Sequence, residues 1–182
     1  SLIGGPTCLG EMPGQSLQSF EVIIVDDAST DNTLEIAQAL ADPWKGIRYY
    51  RLAQNVGTAQ ALNHGGNHAH GQYMTFLSAD DMREPDSLER LYRACQANPH
   101  SFAYDDVRIV TGGKRAQAWR MPEYDFEQLL TRNQVHAGIM MPRAAWLEVG
   151  GYPAVMHDGR EDWAMNVALG RAGYCGVHVP EC

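Results

Sequence analysis

The stretch Val22-Ile23-Ile24-Val25-Asp26-Asp27-Ala28-Ser29-Thr30-Asp31 joins a β-branched apolar run to a polar cluster. Four β-branched residues in succession predict a buried strand, which we place at Glu21–Val25. The cluster Ser29–Thr33 is rich in the residue types that favour a helix N-terminus, so a helix should follow it. A strand that passes directly into a helix is the unit of layered α/β domains.

The alternation of strand and helix continues along the chain. Further strands are predicted at Ile47–Arg51, Tyr73–Leu77, Phe102–Val110, Gly138–Met141 and Tyr174–Val179. Further helices are predicted at Ala59–His70, from Pro85 to Ala97, at Arg143–Val149 and at Asp162–Arg171. The stretch Thr111-Gly112-Gly113-Lys114 is typical of a hairpin turn. Because no repeat or linker divides the chain, residues 1–182 are predicted to form one α/β domain with an atypical segment at 1–20.

Composition excludes several classes of protein. The chain has 182 residues, 45% apolar and 20% charged, and a globular domain of this size can fold without disulfides. The net charge of −8 argues against nucleic acid as a partner, since that affinity depends on neutralised phosphates. No apolar stretch approaches the roughly 20 residues of a membrane span. The four cysteines lack C-x-x-C spacing and no secretory signal is visible, so a cytoplasmic location is expected.

Two acidic pairs directly follow predicted strands. Asp26 and Asp27 end the first strand, where open α/β sheets bind ligands, so they are candidates to accept hydrogen bonds from a base or ribose. A capped turn uses the same residue types and is the alternative. Asp80 and Asp81 follow the third strand, and adjacent carboxylates repel unless a cation offsets their charge. Mg²⁺ and Mn²⁺ prefer such oxygens, although solvated turn carboxylates remain the alternative.

Two other stretches are candidates for chemistry. Glu161-Asp162-Trp163 begins a predicted amphipathic helix. A carboxylate in the first turn of a helix can cap the helix, or it can act as a general base if it lies beside a cleft. Asn55-Val56-Gly57 precedes a run of small residues that includes Gly65. Small residues allow a helix to lie close to a sheet or a ligand, and packing is the simpler explanation. His136 and His157 are candidate metal or phosphate ligands, with ordinary structural histidines as the alternative.

In this order and spacing, the four motifs resemble the family 2 glycosyltransferases of the GT-A fold. Many members read V-D-D-x-S-x-D-x-T, N-x-G-x-x-x-A-x-N-x-G, D-x-D-D and E-D-W. The matching stretches are Val25–Thr33, Asn55–Gly65, Leu77–Asp81 and Glu161–Trp163. The resemblance covers residues 14–182. It implies a Rossmann-like, mixed but mostly parallel sheet flanked by helices.

The resemblance implies a donor site. Asp26 and Asp27 occupy the positions that contact the base and ribose of a nucleoside diphosphate sugar, most often UDP-linked. The other implied donor-binding positions are Asn55, Gly57, Asn63, Ser78 and Ala79. Ser78 departs from the family pattern because it replaces the first acidic residue of D-x-D.

The resemblance also implies the metal site and the catalytic residues. Asp80 occupies the last position of D-x-D, which binds Mn²⁺ or Mg²⁺, with Asp81 as support. Asp162 occupies the position of the catalytic base, and Glu161 precedes it as in the family. The implied reaction is a metal-dependent, inverting transfer of a sugar to a hydroxyl of a carbohydrate, lipid-linked or other acceptor. The alternatives are a non-catalytic sugar-nucleotide-binding or assembly module with an eroded GT-A fold, and an unrelated α/β protein.

The start of the chain departs most from the family. Members usually begin with a buried strand and a helix, but here only fourteen residues precede Gln15-Ser16-Leu17. Leu2-Ile3 with Pro6-Thr7 is the candidate remnant of that strand. We therefore expect either a truncated or rearranged chain, or a second copy that covers the incomplete edge as a homo-oligomer.

Overall fold

The computed structural model describes residues 16–17, 19–41, 46–111, 114–154 and 159–180. Its strands are β1 (Val22–Asp26), β2 (Ile47–Arg51), β3 (Tyr73–Thr75), β4 (Ser101–Asp105), β5 (Val107–Thr111), β6 (Lys114–Trp119), β7 (Met140–Pro142) and β8 (Cys175–Val179). Its helices are α1 (Thr33–Ala41), α2 (Thr58–His68), α3 (Ser87–Ala97), α4 (Phe126–Leu129), α5 (Arg143–Val149) and α6 (Glu161–Arg171). The predicted alternation of strands and helices is confirmed. No helix of the described ranges combines the length and apolarity that crossing a bilayer requires.

The stretch from Val22 to Asp31 begins a β1–α1–β2 unit. β1 and β2 are parallel, with Val22 opposite Ile47 and Asp26 opposite Arg51. Because parallel strands need a crossover connection, α1 joins them and packs on the pair. The packing buries Ile24 of β1 completely, in a cluster with Ala37 of α1. Asp26 and the turn after it therefore lie at the carboxyl end of a buried strand.

The other described sheets follow from the second half of the chain. Four strands are ordered β3-β7-β4-β8, with β4 and β8 parallel and β7 antiparallel to both β3 and β4. The core includes Phe102, Met141 and Leu169, each fully buried. Helix α2 lies against α5 so closely that a Cβ on Gly66 would be 2.5 Å from Cζ2 of Trp146. Packing thus accounts for a small residue in α2.

Three elements differ from the sequence-based expectation. The single strand predicted at Phe102–Val110 is wrong, because the chain leaves the sheet at Asp106 and β5 pairs with β6 instead. The reason is tertiary: Asp106 accepts hydrogen bonds from Met121 N–H at 2.9 Å and contacts His178 Nε2 at 2.8 Å. β3 ends at Thr75, before the predicted end, and α4 was not predicted. The predicted hairpin is confirmed by the pairing of β5 with β6, whereas the candidate strand remnant near Leu2 lies outside the described residues.

Candidate functional site

Asp26 is buried under the turn that follows β1. Its Oδ1 accepts a hydrogen bond from Ser29 N–H at 2.8 Å, and its Oδ2 accepts one from the Tyr49 hydroxyl at 2.7 Å. Burial opposes its ionisation, but Ser29 and Tyr49, assisted by the positive charge of Arg51, hold the pKa of Asp26 below its ordinary value. With 0% exposed surface, Asp26 has the geometry of a residue that positions the turn. Its contact with a base or ribose stays a prediction.

The Tyr49 hydroxyl gives a direct test of this buried carboxylate. We expect Tyr49→Phe to lower the free energy of unfolding by about 1.5–3 kcal/mol, because a charged acceptor loses its donor. The same hydrogen bond adds to burial in raising the pKa of Tyr49 to about 12. Urea denaturation at pH 7 measures the loss. The control is Tyr92→Phe, because the Tyr92 hydroxyl accepts a hydrogen bond from the exposed, uncharged amide of Gln96. An equal loss in both variants would contradict the prediction.

The effect of Tyr49→Phe should depend on pH. Since the pKa of Asp26 is depressed in the folded protein, its stabilising contribution is present above the unfolded carboxyl pKa of about 3.9. The contribution is lost as the pH falls through the folded value. We therefore expect the stability difference between the wild type and the variant to narrow below about pH 4.

Asp27 joins the first predicted motif to the second. Its Oδ1 accepts from Val56 N–H at 2.7 Å and its Oδ2 from Gly57 N–H at 2.9 Å. The Asn55 side chain donates to the Asp27 carbonyl at 3.4 Å. Gly57 has a φ of +86°, a conformation that favours glycine. Asp27 therefore fixes the loop from which α2 starts, and the donor-binding roles of Asn55 and Gly57 stay predictions.

Asn63 fastens α2 to the loop after α5. Its Nδ2 donates to the Tyr152 carbonyl at 2.8 Å, and its Oδ1 accepts from Tyr152 N–H at 2.7 Å. The loop lies so close that a Cβ on Gly151 would be 2.5 Å from this oxygen. The Tyr152 ring in turn packs edge-on against Phe76, with centroids 5.1 Å apart. Asn63 thus supports this loop, and its contact with a donor stays a prediction.

The second acidic pair lies in a tight turn after β3. Asp81 N–H donates to the Ser78 carbonyl at 3.2 Å, and Asp80 and Asp81 are both exposed. Partial desolvation by neighbouring atoms, and next the negative charge of Asp80, raise the pKa of Asp81. Ala79 packs against the small cluster that contains Ile24. The turn is therefore packed against the cluster that includes Ile24 of β1.

This turn offers two exposed carboxylates that could bind a divalent cation. Asp80 and Asp81 offer hard carboxylate oxygens, and Mg²⁺ commonly binds through one or two carboxylates together with phosphate oxygens and water. Among the residues that the structure describes, no group of three or more His, Cys, Asp or Glu side chains is arranged to hold a metal alone. Metal binding by Asp80 and Asp81 therefore stays a prediction.

Asp162 lies in the first turn of α6, and each of its carboxylate oxygens accepts a hydrogen bond. Its Oδ2 accepts from Asn133 Nδ2 at 3.0 Å, and its Oδ1 accepts from Trp163 N–H at 2.7 Å. Burial, followed by the negative charges of Asp162 and Glu161, raises the pKa of Tyr152. Asn133 was missed by sequence reasoning, because nothing in its neighbourhood points to a partner 29 residues away.

Tyr152 connects the predicted site segments. It bonds to Asn63 on α2, and its ring packs on Phe76 just before the acidic turn. These contacts link the second motif to the start of the third, and Ala79 links the third to the cluster around Ile24 of β1. That Asp162 belongs to the same site stays a prediction, as does the binding of a single ligand by the four motifs.

A buried arginine beside the acidic turn was not predicted. Arg83 is only 8% exposed and donates to Thr75 Oγ1 at 2.8 Å, to Ser87 Oγ at 3.2 Å and to the Gly138 carbonyl. Its Nη1 lies 3.7 Å from Asp105 Oδ1. Arginine is rarely buried without a partner, and here the ion pair with Asp105 supplies one. Arg83 thus ties the acidic turn to the ends of β3 and β4.

His136 completes this buried network. Its Nδ1 accepts from Gly138 N–H at 2.9 Å, so Nε2 carries the proton and points at Asp105 Oδ1, 3.2 Å away. Burial opposes ionisation of Asp105, but His136, Arg83 and Ser87 hold its pKa below the ordinary value. With both ring nitrogens occupied by protein groups, His136 has the contacts of a structural histidine, whereas His157 lies outside the described residues.

Comparisons with known proteins agree with the motifs. The model of glycosyl transferase family 2 matches residues 8–149. An uncharacterized glycosyltransferase of Haemophilus influenzae is 30% identical over 160 residues, or 82% of this chain and 60% of that protein. A PGL/p-HBAD biosynthesis glycosyltransferase of Mycobacterium bovis is 30% identical over 165 residues, or 89% of this chain and 62% of that protein. The chain therefore spans about 60% of the length of these curated relatives.

Solved structures bear out the predicted fold. Residues 1–349 of TarS of S. aureus, solved with UDP, superpose with a TM-score of 0.74 at 18% identity, covering 96% of this chain and 55% of that one. The mannosyltransferase PcManGT of Pyrobaculum calidifontis, solved with GDP-Man and Mn²⁺, gives 0.71 at 20% identity, covering 96% of this chain and 50% of that one. Both are GT-A transferases, so the α/β fold is GT-A. The chain belongs to glycosyl transferase family 2.

Proposed function

We propose that this chain binds a nucleoside diphosphate sugar and transfers the sugar to an acceptor hydroxyl with inversion. The observations that carry the proposal are that Ala79 packs against the cluster around Ile24 of β1 and that Tyr152 contacts both Asn63 and Phe76. We propose that these contacts hold the three groups of carboxylates in one region at the carboxyl ends of β1 and β3, where α/β sheets bind ligands. UDP is the proposed nucleotide, in keeping with the UDP complex of TarS.

The donor half of the site is proposed to combine two turns. Asp27 and the loop it holds at Asn55 and Gly57 would face the base and ribose, while Ser78 and Ala79 would line the approach to the diphosphate. Asp80, supported by Asp81, would hold Mn²⁺ or Mg²⁺. Such a cation, when bound, neutralises charge on the departing diphosphate.

The acceptor half is proposed to depend on Asp162. Hydrogen bonds from Asn133 and Trp163 fix its carboxylate, and each oxygen retains lone-pair capacity to accept the proton of an acceptor hydroxyl. Glu161 stands beside it in the first turn of α6, where the helix dipole favours negative charge. A single attack from the face opposite the nucleotide inverts the anomeric carbon, because no covalent sugar intermediate intervenes.

Nucleotide binding should depend on the metal and on the acidic turn. We expect calorimetric titration to show UDP binding about tenfold or more tightly with Mn²⁺ than with EDTA, and Asp80→Asn to remove that difference. The matched control is Asp86→Asn, a change of an exposed aspartate just beyond the turn, which should leave the metal dependence intact. Failure of UDP, GDP and dTDP to bind at any metal concentration would overturn the proposal.

The alternative is a non-catalytic sugar-nucleotide-binding module whose site has eroded. Asp26 has no exposed surface, and both carboxylate oxygens of Asp27 already accept backbone hydrogen bonds. Metal-dependent UDP binding without sugar transfer to any acceptor would favour this second function. A cytoplasmic location is also proposed, in keeping with the free thiols of Cys95 and Cys175.

A further inference from the structure

The indole of Trp119, at the end of β6, is largely exposed. Its exposed fraction is 62%, the highest among the large apolar side chains that the described residues expose. Ile109, on the strand that pairs with β6, is 50% exposed. A single exposed apolar side chain is ordinary on a protein surface, so the position of Trp119 in the fold decides whether it has a use.

The strand register places the base of this hairpin at the same sheet edge as the acidic turn. β3 and β4 both pair antiparallel with β7, so they run parallel to each other, with Thr75 level with Ala103. Their carboxyl ends therefore lie at one edge, two strand spacings or about 10 Å apart. The acidic turn Ser78–Asp81 follows β3, and Val107, which lies opposite Trp119, follows β4.

The base of the hairpin is held on both of its faces. Arg108 Nε lies 3.9 Å from Oε1 of Glu84, three residues after the acidic turn. Val107, the neighbour of Arg108, points to the other face of β5 and packs against the main core cluster. The indole opposite Val107 is therefore presented by a fixed part of the domain.

The end of β4 is also in contact with the segments that carry both proposed halves of the site. Asp105 pairs with Arg83, whose Nη1 is 3.7 Å from its Oδ1 and which follows the acidic turn by two residues. His136 Nε2 lies 3.2 Å from the same oxygen. Asn133, three residues before His136, donates to Asp162 at 3.0 Å. The hairpin base thus adjoins the segments of the proposed metal site and of the proposed catalytic base.

We propose that Trp119 is the platform on which the acceptor stacks, and that the acceptor is a carbohydrate. This inference rests on the proposed function, because it assigns the acceptor of that same reaction. A pyranose ring has a face of C–H groups, which packs on the negatively polarised face of an indole. Its hydroxyls require polar partners around the ring. A separation of about 10 Å from the acidic turn leaves room for the transferred sugar beside the acceptor.

The residues that follow Trp119 favour a sugar over a hydrocarbon chain. Arg120 and Glu123 are both exposed. Arginine offers several N–H donors and glutamate offers two acceptor oxygens, which suit the hydroxyls of a sugar. A hydrocarbon chain lying across these side chains would desolvate their charges without giving them hydrogen bonds, which is costly.

The kinetic test separates the acceptor from the donor. With the most active acceptor of a panel of methyl glycosides, we expect Trp119→Leu to raise the acceptor KM about tenfold and to leave UDP binding unchanged. Trp119→Phe keeps a flat ring and should recover most of the affinity. Leu147→Ala, which truncates an exposed apolar side chain on α5, is the control and should change neither quantity. An unchanged KM in Trp119→Leu would overturn the proposal, as would weaker UDP binding, which would assign the indole to the nucleotide.

A binding measurement applies even if the chain transfers no sugar, so that a failure of the proposed function and a failure of this inference can be told apart. Fluorotryptophan replaces the tryptophans of the full chain, and the fluorine NMR signal of position 119 is the one that Trp119→Leu lacks. Methyl β-glucoside, methyl β-galactoside and methyl α-mannoside are titrated with and without UDP and Mn²⁺.

We expect at least one methyl glycoside to shift the signal of position 119 saturably, and more than the signals of the other tryptophans. Octyl β-glucoside, used below its micelle concentration, should shift that signal no more than methyl β-glucoside does. The absence of a shift with every methyl glycoside would overturn the proposal. A shift with the octyl glycoside alone would also overturn it, because the indole would then bind a hydrocarbon chain.

Discussion

Asp162→Asn is expected to lower the rate of sugar transfer by about 10²–10⁴-fold, because an amide cannot take the proton of the acceptor hydroxyl. The substitution keeps the shape of the side chain, so UDP binding in the presence of Mn²⁺ should change by no more than about twofold. The measurement is the initial rate of UDP release from a panel of UDP-sugars with a hydroxyl acceptor, alongside calorimetric titration of UDP.

Two further variants separate a loss of chemistry from a loss of structure. Glu35→Gln makes the same carboxylate-to-amide change in the first turn of α1 on an exposed side chain, and should leave the rate unchanged. Asn133→Ala removes the donor that holds Asp162 and should slow transfer by about tenfold without altering UDP binding. Retention of full activity by Asp162→Asn would exclude this residue as the base.

Arg83→Met is expected to lower the free energy of unfolding by about 3–5 kcal/mol, because it leaves the buried carboxylate of Asp105 without its cation. Natural domains are stable by only about 5–15 kcal/mol, so this is a large share of the total. Because the pKa of Asp105 is depressed in the folded protein, the stability it supplies is present above about pH 3.9 and lost as the pH falls through the folded value. Urea denaturation at pH 7 and at about pH 2 should therefore show the larger loss at pH 7.

The control for Arg83→Met is an arginine in an exposed ion pair. Arg93 pairs with Glu89 one helical turn away, with 74% of its side chain exposed, so Arg93→Met should cost at most about 0.5 kcal/mol. The double variant Arg83→Met/Asp105→Leu removes both buried charges and should regain part of the loss. A loss from Arg83→Met no larger than that from Arg93→Met would contradict the buried ion pair.

Local sequence patterns predicted those strands and helices whose own residues have a clear periodicity or a clear capping motif. The β-branched run before Asp26 became β1, and the capping cluster before Thr33 led into α1. The apolar positions Leu88, Leu91 and Cys95 lie on one buried face of α3. The strand predicted at Phe102–Val110 was wrong, because its residues favour extended structure on both sides of the point where Asp106 turns away to distant partners.

Two residues that contact Asp26, Tyr49 and Arg51, were not predicted from the sequence. Tyr49 and Arg51 lie two apart on β2, and the parallel register sets them opposite Ile24 and Asp26. Because alternate residues of a strand share a face, the pair points to the same side as the carboxylate that it contacts. Recognising this required the register of β2 against β1, which no local pattern provides.

The order and spacing of residues alone determined the family, the layered α/β fold and the four motifs, because each depends on short-range periodicity or on a fixed local spacing. The tertiary structure alone decided that Asp26 is buried against Tyr49, that Asn63 bonds to Tyr152, and that Arg83 pairs with Asp105. The hydrogen bonds behind these facts join residues from 23 to 89 positions apart. Contacts between residues so far apart in the sequence form only after the chain has packed, because burial then requires each polar group to have a hydrogen-bond partner.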